Sequence, residues 1–248
     1  MLSLTIDQGN TAAKLALWLD SEPVAMTIES RLTPATVERF VRSAPGGDLP
    51  GAAIYCSVSS RGSDLLSRLR TFIPRVLRLT ADMPLPLRIG YDTPSTLGAD
   101  RIAAAAGAMA MFPRRPLLVV DAGTAVTYDY VTADGVFAGG NIAPGMTMRL
   151  EALHRFTARL PRLEMPRDLE PGRLLGTDTA SAMILGAAYG ITGAIGFYRR
   201  RLPDDTVTVV TGGWAPTISR LTDIEVHTEP NLVSRGLISI LSYNENIS

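Results

Sequence analysis

One short pattern occurs twice in this chain, and it constrains the possible folds more than any other feature. The segments MLSLTIDQGNTAAKLALWL and LLVVDAGTAVTYDYV both consist of an apolar strand, Asp-x-Gly, a hydroxyl residue and a second apolar strand. Each copy predicts a β-hairpin whose turn carries one carboxylate, one glycine and one hydroxyl. Two such hairpins can hold a polyphosphate and its metal between two similar halves.

The composition is that of a folded chain with no electrostatic bias toward nucleic acid or membranes. Of the 248 residues, 46% are hydrophobic and 19% are charged, which argues against disorder. Lys plus Arg and Asp plus Glu both number 24, so no basic excess favours nucleic acid or an anionic membrane surface. One cysteine and two histidines leave no His/Cys metal cluster and weaken any Ser-His-Asp proposal. We expect a cytoplasmic protein.

The order of strand and helix patterns predicts an α/β fold with two lobes. Apolar runs bounded by turn residues predict strands at 2–7, 12–19, 51–59, 76–79, 117–121, 125–131, 136–139 and 207–211. Helical spacing and capping residues predict helices at 33–43, 62–72, 100–112, 146–157, 179–198 and 231–243, with N-caps at Thr33 and Thr179. Because the strand–turn–strand units start twice, we predict lobes at 1–106 and 107–248.

The predicted helix 179–198 carries no charge over a length that could cross a membrane. Its glycines, alanines and hydroxyl residues make the transfer into lipid only modestly favourable. We therefore expect a buried or interface helix and no membrane association. Gly186, Gly190 and Gly193 suggest close packing against another helix, from this chain or from a second subunit.

The first hairpin has the residue types that a triphosphate and Mg²⁺ require. Gly9 lets the backbone approach a phosphate and adopt a positive φ, and Asn10 and Thr11 offer hydrogen-bond donors. Asp7 repels phosphate, so it makes sense only through Mg²⁺ or a water of its shell. Lys14 on the returning strand can neutralise phosphate charge. The alternative is an ordinary Gly-Asn hairpin, which the second copy disfavours.

The second hairpin keeps the carboxylate but changes its surroundings. Asp121, Gly123 and Thr124 repeat the pattern, and Asp129 follows on the outgoing strand. A carboxylate that ends the apolar strand LLVVD needs a cation or hydrogen bonds to stay ionised. We therefore favour a cation site at Asp121 over a solvated strand end.

The segment from Gly98 to Arg101 opens the Ala-rich helix and pairs an acid with a base. Arg101 can grip the carboxylate of an acidic substrate, while Asp100 accepts a hydroxyl proton during attack on a γ-phosphate. Capping of the helix is the alternative role for Asp100. Tyr91, just upstream, could supply a packing or hydrogen-bonding wall.

Other phosphate cradles are absent from the sequence. It contains no GxxxxGK[ST], no GxGxxG after a strand, and no GxSxG, HExxH or CxxC. Gly212 and Gly213 follow the strand VTVVT and suit a flat group such as adenine lying against bare backbone.

Taken in order, these motifs resemble the type III pantothenate kinase family over essentially the whole chain. They are Asp7-x-Gly9-Asn10-Thr11-x-x-Lys14, Gly98-Ala99-Asp100-Arg101, Asp121-x-Gly123-Thr124, Gly176-x-x-Thr179 and Thr211-Gly212-Gly213, with NLVSRGL as a supporting stretch. The resemblance implies two ribonuclease-H-like lobes of the actin/Hsp70/hexokinase (ASKHA) superfamily. It also implies ATP-dependent phosphorylation of pantothenate to 4'-phosphopantothenate, the first step of coenzyme A biosynthesis.

The resemblance further implies a role for each matching residue, with Asp100 as the general base. ATP is expected to contact Asp7, Gln8, Gly9, Asn10, Thr11, Ala12, Ala13, Lys14, Thr124, Gly212 and Gly213. Pantothenate is expected to contact Tyr91, Gly98, Ala99, Asp100, Arg101 and Thr179. Asp121 would bind a monovalent cation, K⁺ or NH₄⁺, and Asp7 would bind Mg²⁺ through water. The implied assembly is a homodimer with its active site at the subunit interface, where Thr179 comes from the partner.

Three alternatives to this function stay open at the level of sequence. The first is another small-molecule ASKHA kinase acting on a sugar or acetate, for which the chain is short. The second is an exopolyphosphatase-like hydrolase. The third is a catalytically silent regulatory homologue, against which the intact Asp100, Arg101 and Asp121 argue.

Overall fold

The computed structural model describes residues 1–43, 47–57 and 63–247. Contacts divide the chain into two compact units. The first unit comprises Met1–Pro113, Gly135–Phe137 and Asn231–Ser248, and the second comprises Arg114–Asp134 and Ala138–Pro230. The predicted lobes 1–106 and 107–248 stay a prediction. The end of the predicted strand 51–59 and the start of the predicted helix 62–72 lie outside the described residues.

Strands and helices alternate along the chain, as the sequence predicts for an α/β fold. The strands are β1 (Leu2–Gln8), β2 (Ala13–Leu19), β3 (Glu22–Glu29), β4 (Ala52–Ser57), β5 (Arg75–Arg78), β6 (Arg88–Ile89), β7 (Leu117–Ala122), β8 (Ala125–Val131), β9 (Val136–Pro144), β10 (Val207–Thr211) and β11 (His227–Thr228). The helices are α1 (Pro34–Arg42), α2 (Ser63–Leu69), α3 (Ala99–Met111), α4 (Met146–Arg155), α5 (Thr179–Arg199), α6 (Ala215–Leu221) and α7 (Leu232–Asn246).

The first unit is built on a sheet with strand order β3-β2-β1-β4-β5. β1 runs antiparallel to β2 and parallel to β4, so the β1–β2 turn lies at one end of the sheet. Alternate residues of the strands, such as Leu4, Ile6 and Leu15, bury one face against α1 and α2. α7 packs against β1, β2 and β4, and α3 packs against β4.

Helices α3 and α7 cross within the first unit at two glycines. A Cβ on Gly107 would lie 2.3 Å from the Leu232 carbonyl oxygen, and one on Gly236 would lie 1.7 Å from the Ala103 carbonyl oxygen. No side chain larger than hydrogen fits at either position without moving a backbone. The Ala-rich sequence of α3 therefore serves a close contact with the C-terminal helix.

The strands of the second unit follow the order β11-β10-β7-β8-β9. β10 is parallel to β7, and β7 is antiparallel to β8. The core of this unit buries Leu118, Val120 and Val210 of the sheet against helices α4, α5 and α6. In the first unit, the short strand β6 pairs in parallel with Val136 and Phe137.

Helix α5 contains the uncharged run 179–198. Among the described residues it is the one helix long and apolar enough to span a membrane by length and composition, with 44% of the relevant window buried. Met183, Ala188 and Ile195 belong to the core of the second unit. The expected buried helix is thus found, while its other side, including Gly186 and Phe197, is exposed.

Two helix starts test the predicted capping residues. Thr33 is the N-cap of α1, and its side chain accepts a hydrogen bond from the Thr36 amide at 3.1 Å, as predicted. The predicted N-cap of α5, Thr179, is wrong by one residue. Asp178 is the cap, and its carboxylate accepts from the Ser181 amide at 2.9 Å. This hydrogen bond lowers the pKa of Asp178, because it favours the ionised carboxylate.

Candidate active site

The first hairpin turns at Gly9–Ala12, between β1 and β2. The Gly9 amide donates to the Ala12 carbonyl at 3.1 Å, which closes the turn. The predicted positive φ at Gly9 is wrong, since this turn closes without a left-handed residue there. Asn10 and Thr11 lie at the exposed tip of the turn.

Asp7 and Lys14 are paired across the hairpin. They are directly opposite in the antiparallel register, so their side chains leave the same face of the sheet. The Lys14 Nζ donates to Oδ1 of Asn231 at 3.3 Å. Asn231 is the N-cap residue of α7 and makes no side-chain cap hydrogen bond, because its side chain faces Lys14 instead. The hairpin is thereby tied to the start of the C-terminal helix.

Asp100 approaches the same end of the sheet as Asp7. Burial raises the pKa of the Cys56 thiol, and the nearby carboxylates of Asp7 and Asp100 raise it further. Cys56 is opposite Asp7 in the parallel β1–β4 register. The two predicted functional carboxylates therefore lie around one buried thiol, in the first unit.

The acidic start of α3 depends on Gly98. The Asp100 Oδ1 accepts a hydrogen bond from the Arg101 amide at 2.9 Å, and a Cβ on Gly98 would lie 2.5 Å from that oxygen. One carboxylate oxygen of Asp100 is therefore fixed by the helix start. Gly98 is required because any side chain there would displace the carboxylate.

Arg101 is buried, with 6% of its surface exposed, and its guanidinium packs against a pair of aromatic rings. Its Cζ is 5.6 Å from the ring centroid of Tyr91 and 5.5 Å from that of Phe137. The two rings themselves meet edge to face, with centroids 6.2 Å apart. Rings at this distance favour the cation and restrict its rotation. Phe137 is a residue that the sequence did not single out.

The opposite face of the first hairpin borders a cavity of about 590 Å³. Its wall includes the turn residues Gln8 to Ala13 and the loop residues Ser30 and Arg31. The Tyr55 hydroxyl donates to Gln8 Oε1, which anchors Gln8 on this face. Gln8 and Asp7, predicted together as ATP contacts, therefore leave opposite faces of β1.

The second hairpin presents Asp121 opposite Thr127, with Asp129 on the same face of the sheet. Asp129 is fully buried, whereas Asp121 is half-buried at the end of β7. The Gly123 amide donates to the Ala125 carbonyl at 3.0 Å and shapes the turn that carries Thr124. Two acidic side chains thus lie on one face of this hairpin.

Two glycines from other segments press against the second hairpin. A Cβ on Gly212 would lie 2.5 Å from Asp121 Oδ1 and 2.6 Å from the Ala122 carbonyl oxygen. Gly212 also has a φ of +88°, a conformation that side chains disfavour. A Cβ on Gly145 would lie 2.4 Å from the carbonyl oxygen of Thr124. The carboxylate of Asp121 therefore packs against the backbone at Gly212, and the turn of the hairpin packs against Gly145.

Gly212 and Gly213, the predicted neighbours of the nucleoside (the nucleoside motif), come directly after β10. The Trp214 amide donates to the Ala122 carbonyl at 3.1 Å, so the chain after Gly213 is tied to the second hairpin. The predicted set Asp121, Thr124 and Gly212 is thus assembled within the second unit.

The predicted pantothenate residue Thr179 is exposed at the first position of α5. The loop before it folds over the helix start, where a Cβ on Gly176 would lie 2.2 Å from the Ala182 amide nitrogen. Arg173 donates to the Thr177 hydroxyl at 2.7 Å. The residues from Gly176 to Asp178 therefore form a turn that packs on the first turn of α5.

Asp7 and Asp121 are the carboxylates predicted to bind Mg²⁺ and a monovalent cation. Among the described residues no group of three or more His, Cys, Asp or Glu side chains could hold a metal alone. Mg²⁺ bound with a triphosphate needs only one or two carboxylates, so Asp7 fits that role. The carboxylate and carbonyl oxygens that surround Gly212 fit a hard cation at Asp121.

Solved structures at low sequence identity share the fold. The chain superimposes on a Campylobacter jejuni protein solved as a candidate Baf-family transcriptional activator with a TM-score of 0.63 and 22% identity, covering 98% of this chain and 99% of that one. A candidate 2-dehydro-3-deoxygalactonokinase from Sinorhizobium meliloti gives 0.59 and 15%, covering 99% of both chains. Component A of the (R)-2-hydroxyglutaryl-CoA dehydratase from Acidaminococcus fermentans gives 0.55 and 13%, covering 100% of both. The fold is that of the ASKHA kinases and ATPases, as predicted.

Within this class, the chain belongs to the type III pantothenate kinase family. The family model described as Type III pantothenate kinase matches residues 3–201. The type III pantothenate kinase of Porphyromonas gingivalis is 36% identical over 247 residues, covering 98% of each chain. That of Bacteroides fragilis is 35% identical over 249 residues, again covering 98% of each. The family predicted from the motifs is confirmed, and the chain is a kinase.

Proposed function

We propose that this chain transfers the γ-phosphoryl group of ATP to the primary hydroxyl of pantothenate, the first step of coenzyme A biosynthesis. The observation that carries the proposal is the grouping of Asp7, Lys14 and Asp100 at one end of the first sheet. A cation, a metal-binding carboxylate and a second carboxylate are what phosphoryl transfer to an alcohol requires.

Asp100 is the proposed general base. The pantothenate oxygen attacks the γ-phosphorus, the bond to the β–γ bridging oxygen breaks, and the hydroxyl proton passes to Asp100. The Arg101 amide occupies Oδ1, which leaves Oδ2 as the proton acceptor. Arg101 pairs with the pantothenate carboxylate, and Tyr91 restricts the guanidinium from one side. Gly98 and Ala99 bring the backbone close to the substrate.

The two hairpins are proposed to make different contacts with ATP. In the first unit, Lys14 and the amides of Asn10 and Thr11 at the tip of the turn neutralise and position phosphate oxygens. The exposed side chains of Asn10 and Thr11 add hydrogen bonds. In the second unit, Thr124 contacts a phosphate, while Gly212 and Gly213 lie near the nucleoside.

ATP acts with a divalent metal in kinases of this fold. In this proposal Asp7 binds Mg²⁺ through a water molecule, and Asp121 binds a monovalent cation, K⁺ or NH₄⁺. Bound cations offset the negative charge that develops on the phosphoryl oxygens. The backbone packed against Asp121, with the acidic side chain of Asp129 on the same face of the hairpin, supports a cation site there.

We further propose a cytoplasmic homodimer in which Thr179 contacts pantothenate bound to the partner subunit. Large apolar side chains are exposed on the second unit, namely Ile142, Met148, Phe156, Leu174, Leu175 and Phe197. The exposed face of α5 adds Gly186 and Gly193, which meet no atom within 4 Å of an added Cβ. Exposed apolar surface of this extent supports an interface.

The test is a coupled ADP-release assay with pantothenate and ATP, run with and without K⁺, with mass detection of 4'-phosphopantothenate. We expect product that requires Mg²⁺ and increases with K⁺. A sugar and acetate panel in the same assay tests the other ASKHA kinases. Phosphate release without any acceptor would support the hydrolase, and no turnover at saturating substrates would support the silent regulatory protein.

A further inference from the structure

An arginine that no predicted motif includes lies against the nucleoside motif. Arg167 belongs to the segment between α4 and α5, which is rich in proline and charge. Its Nη1 donates to the Gly213 carbonyl at 2.8 Å, and its Cζ lies 3.9 Å from the ring centroid of Trp214. Both contacts are within the second unit.

Arg167 is fixed at both ends. Its carbonyl oxygen accepts hydrogen bonds from the Thr217 hydroxyl at 3.3 Å and from Arg220 Nη2 at 2.7 Å, which hold the backbone to α6. The side chain is held by the Gly213 carbonyl and the Trp214 ring. A long side chain that is held at two points, on a backbone that is itself held at two more, has lost much of its rotamer freedom before any ligand binds.

The guanidinium of Arg167 lies over the Trp214 indole ring. Trp214 is buried, with 7% of its surface exposed, while Arg167 is an exposed residue. The atom nearest to a Cβ added on Gly213 is Arg167 Nη1, at 3.7 Å. The bare backbone of Gly213 and the planar guanidinium therefore border the same space.

We propose that Arg167 is the stacking platform for the base of the nucleotide. A guanidinium is planar and weakly hydrated, and it stacks on aromatic faces more readily than an ammonium does. The indole below it extends the stack to three layers: Trp214, Arg167 and the base. The inference rests on the proposed function, because it takes Gly212 and Gly213 as neighbours of the nucleoside.

A simpler role for Arg167 is the attachment of its loop to α6. That role needs the carbonyl bonds and the Gly213 contact, but it needs no ligand. A third role is long-range attraction of phosphate by positive charge. The platform differs from both, because it acts on the base alone and requires a planar side chain.

The experiment is calorimetric binding of Mg-ATP and of Mg-tripolyphosphate, which lacks base and sugar, to the full chain. The variants are Arg167→Ala, Arg167→Lys and the control Arg162→Ala. Arg162 is an exposed arginine of the same segment, whose Nε lies 3.6 Å from Glu151 Oε2. Thermal melting of each variant shows whether it is folded, and the lysine variant serves if the alanine variant is not.

We expect both Arg167 variants to bind Mg-ATP about 5- to 30-fold more weakly, the range that stacking of a cation on an aromatic group supplies. We expect three quantities to stay within about twofold of those of the unsubstituted chain: the affinity for tripolyphosphate, kcat at saturating ATP and KM for pantothenate. The control Arg162→Ala should leave all of these and the affinity for Mg-ATP within about twofold. Unchanged ATP affinity in Arg167→Ala overturns the platform in favour of loop attachment. Equal loss of tripolyphosphate affinity, or full ATP affinity in Arg167→Lys, overturns it in favour of charge.

Failure of the underlying function gives a different result. If the unsubstituted chain binds neither Mg-ATP nor pantothenate, the proposed kinase reaction is wrong, whatever the variants do. If it phosphorylates pantothenate and Arg167→Ala binds ATP normally, only the platform is wrong.

Discussion

The two Asp-x-Gly hairpins share a sequence pattern and differ in what surrounds them. The first ends in an exposed tip, and its carboxylate, Asp7, lies opposite a lysine. The second is enclosed, because Gly145 and Gly212 from distant segments touch its backbone. Its carboxylate, Asp121, lies opposite the neutral Thr127.

The difference shows that the motif specifies a turn, while later segments specify its chemistry. An exposed turn beside a lysine suits a large anion, because turn amides and an ammonium both bind phosphate oxygens. A turn packed against other backbone segments suits a cation, because a carbonyl oxygen and a carboxylate oxygen lie close together there. The predictions below test this division, from the largest expected effect to the smallest.

The largest effect is expected at Asp100, which belongs to neither hairpin. Asp100→Asn should lower kcat by about 10²- to 10⁴-fold, because the amide cannot accept the hydroxyl proton. Binding of ATP and pantothenate, measured by calorimetry, should persist. A variant with near-normal turnover and intact binding would move the chemistry from Asp100 to one of the hairpins.

The glycine in the first hairpin and the glycine that packs against the second should respond differently to one methyl group. Gly212→Ala must fit a side chain at a φ of +88°, 2.5 Å from a carboxylate oxygen, and should lose about 1–3 kcal/mol of unfolding free energy. Gly9→Ala meets only the Ala12 carbonyl, at 3.3 Å, and should lose less than about 1 kcal/mol. Urea unfolding of both variants measures this, and equal losses would contradict the contrast.

The two aspartates should affect different cations. Asp7→Asn should raise the Mg²⁺ concentration for half-maximal rate by about tenfold and leave the K⁺ requirement unchanged, since a hydrogen-bonded charge contributes about 1.5–3 kcal/mol. Asp121→Asn should raise the K⁺ concentration for half-maximal rate by about tenfold and leave the Mg²⁺ requirement unchanged. Titrations of both ions on both variants give four results, and a loss of both cations in either variant would refute separate sites.

The smallest effect is expected at Asn231, which acts through Lys14. Asn231→Ala removes one acceptor of the Lys14 ammonium and should raise KM for ATP about two- to fivefold, with kcat unchanged. Asn246→Ala, at the exposed far end of α7, is the matched control. A fall in kcat with an unchanged KM would assign Asn231 a structural role alone.

Periodic patterns predicted most of the fold, and weak patterns did not. The strands around both hairpins and β10 were predicted to within one or two residues, because continuous apolar runs mark buried strands. β3 was missed, since it is an edge strand that exposes Val24 and Met26 and has a proline at its second position. α6 was also missed: it has seven residues with a proline in its first turn, and its two large apolar residues, Ile218 and Leu221, show no extended helical period.

The candidate site was predictable where chemistry is local in sequence. The Asp7–Lys14 pair follows from spacing within one hairpin, and the Gly98–Asp100 contact from spacing at one helix start. Asn231 was not assigned, because its contact with Lys14 spans 217 positions. Gly145 and Arg167 were not predicted as site residues for the same reason, because the residues that they contact lie in other segments of the chain.

The C-terminal helix α7 has a consequence for synthesis of the protein. The first unit needs Gly236 against Ala103 and Asn231 against Lys14, yet these residues leave the ribosome more than a hundred positions after Pro113. At about 5–20 residues per second, the nascent N-terminal sheet waits on the order of ten seconds for its last helix. During that interval the α3 surface that α7 will cover is bare, so chaperone capture should concentrate there.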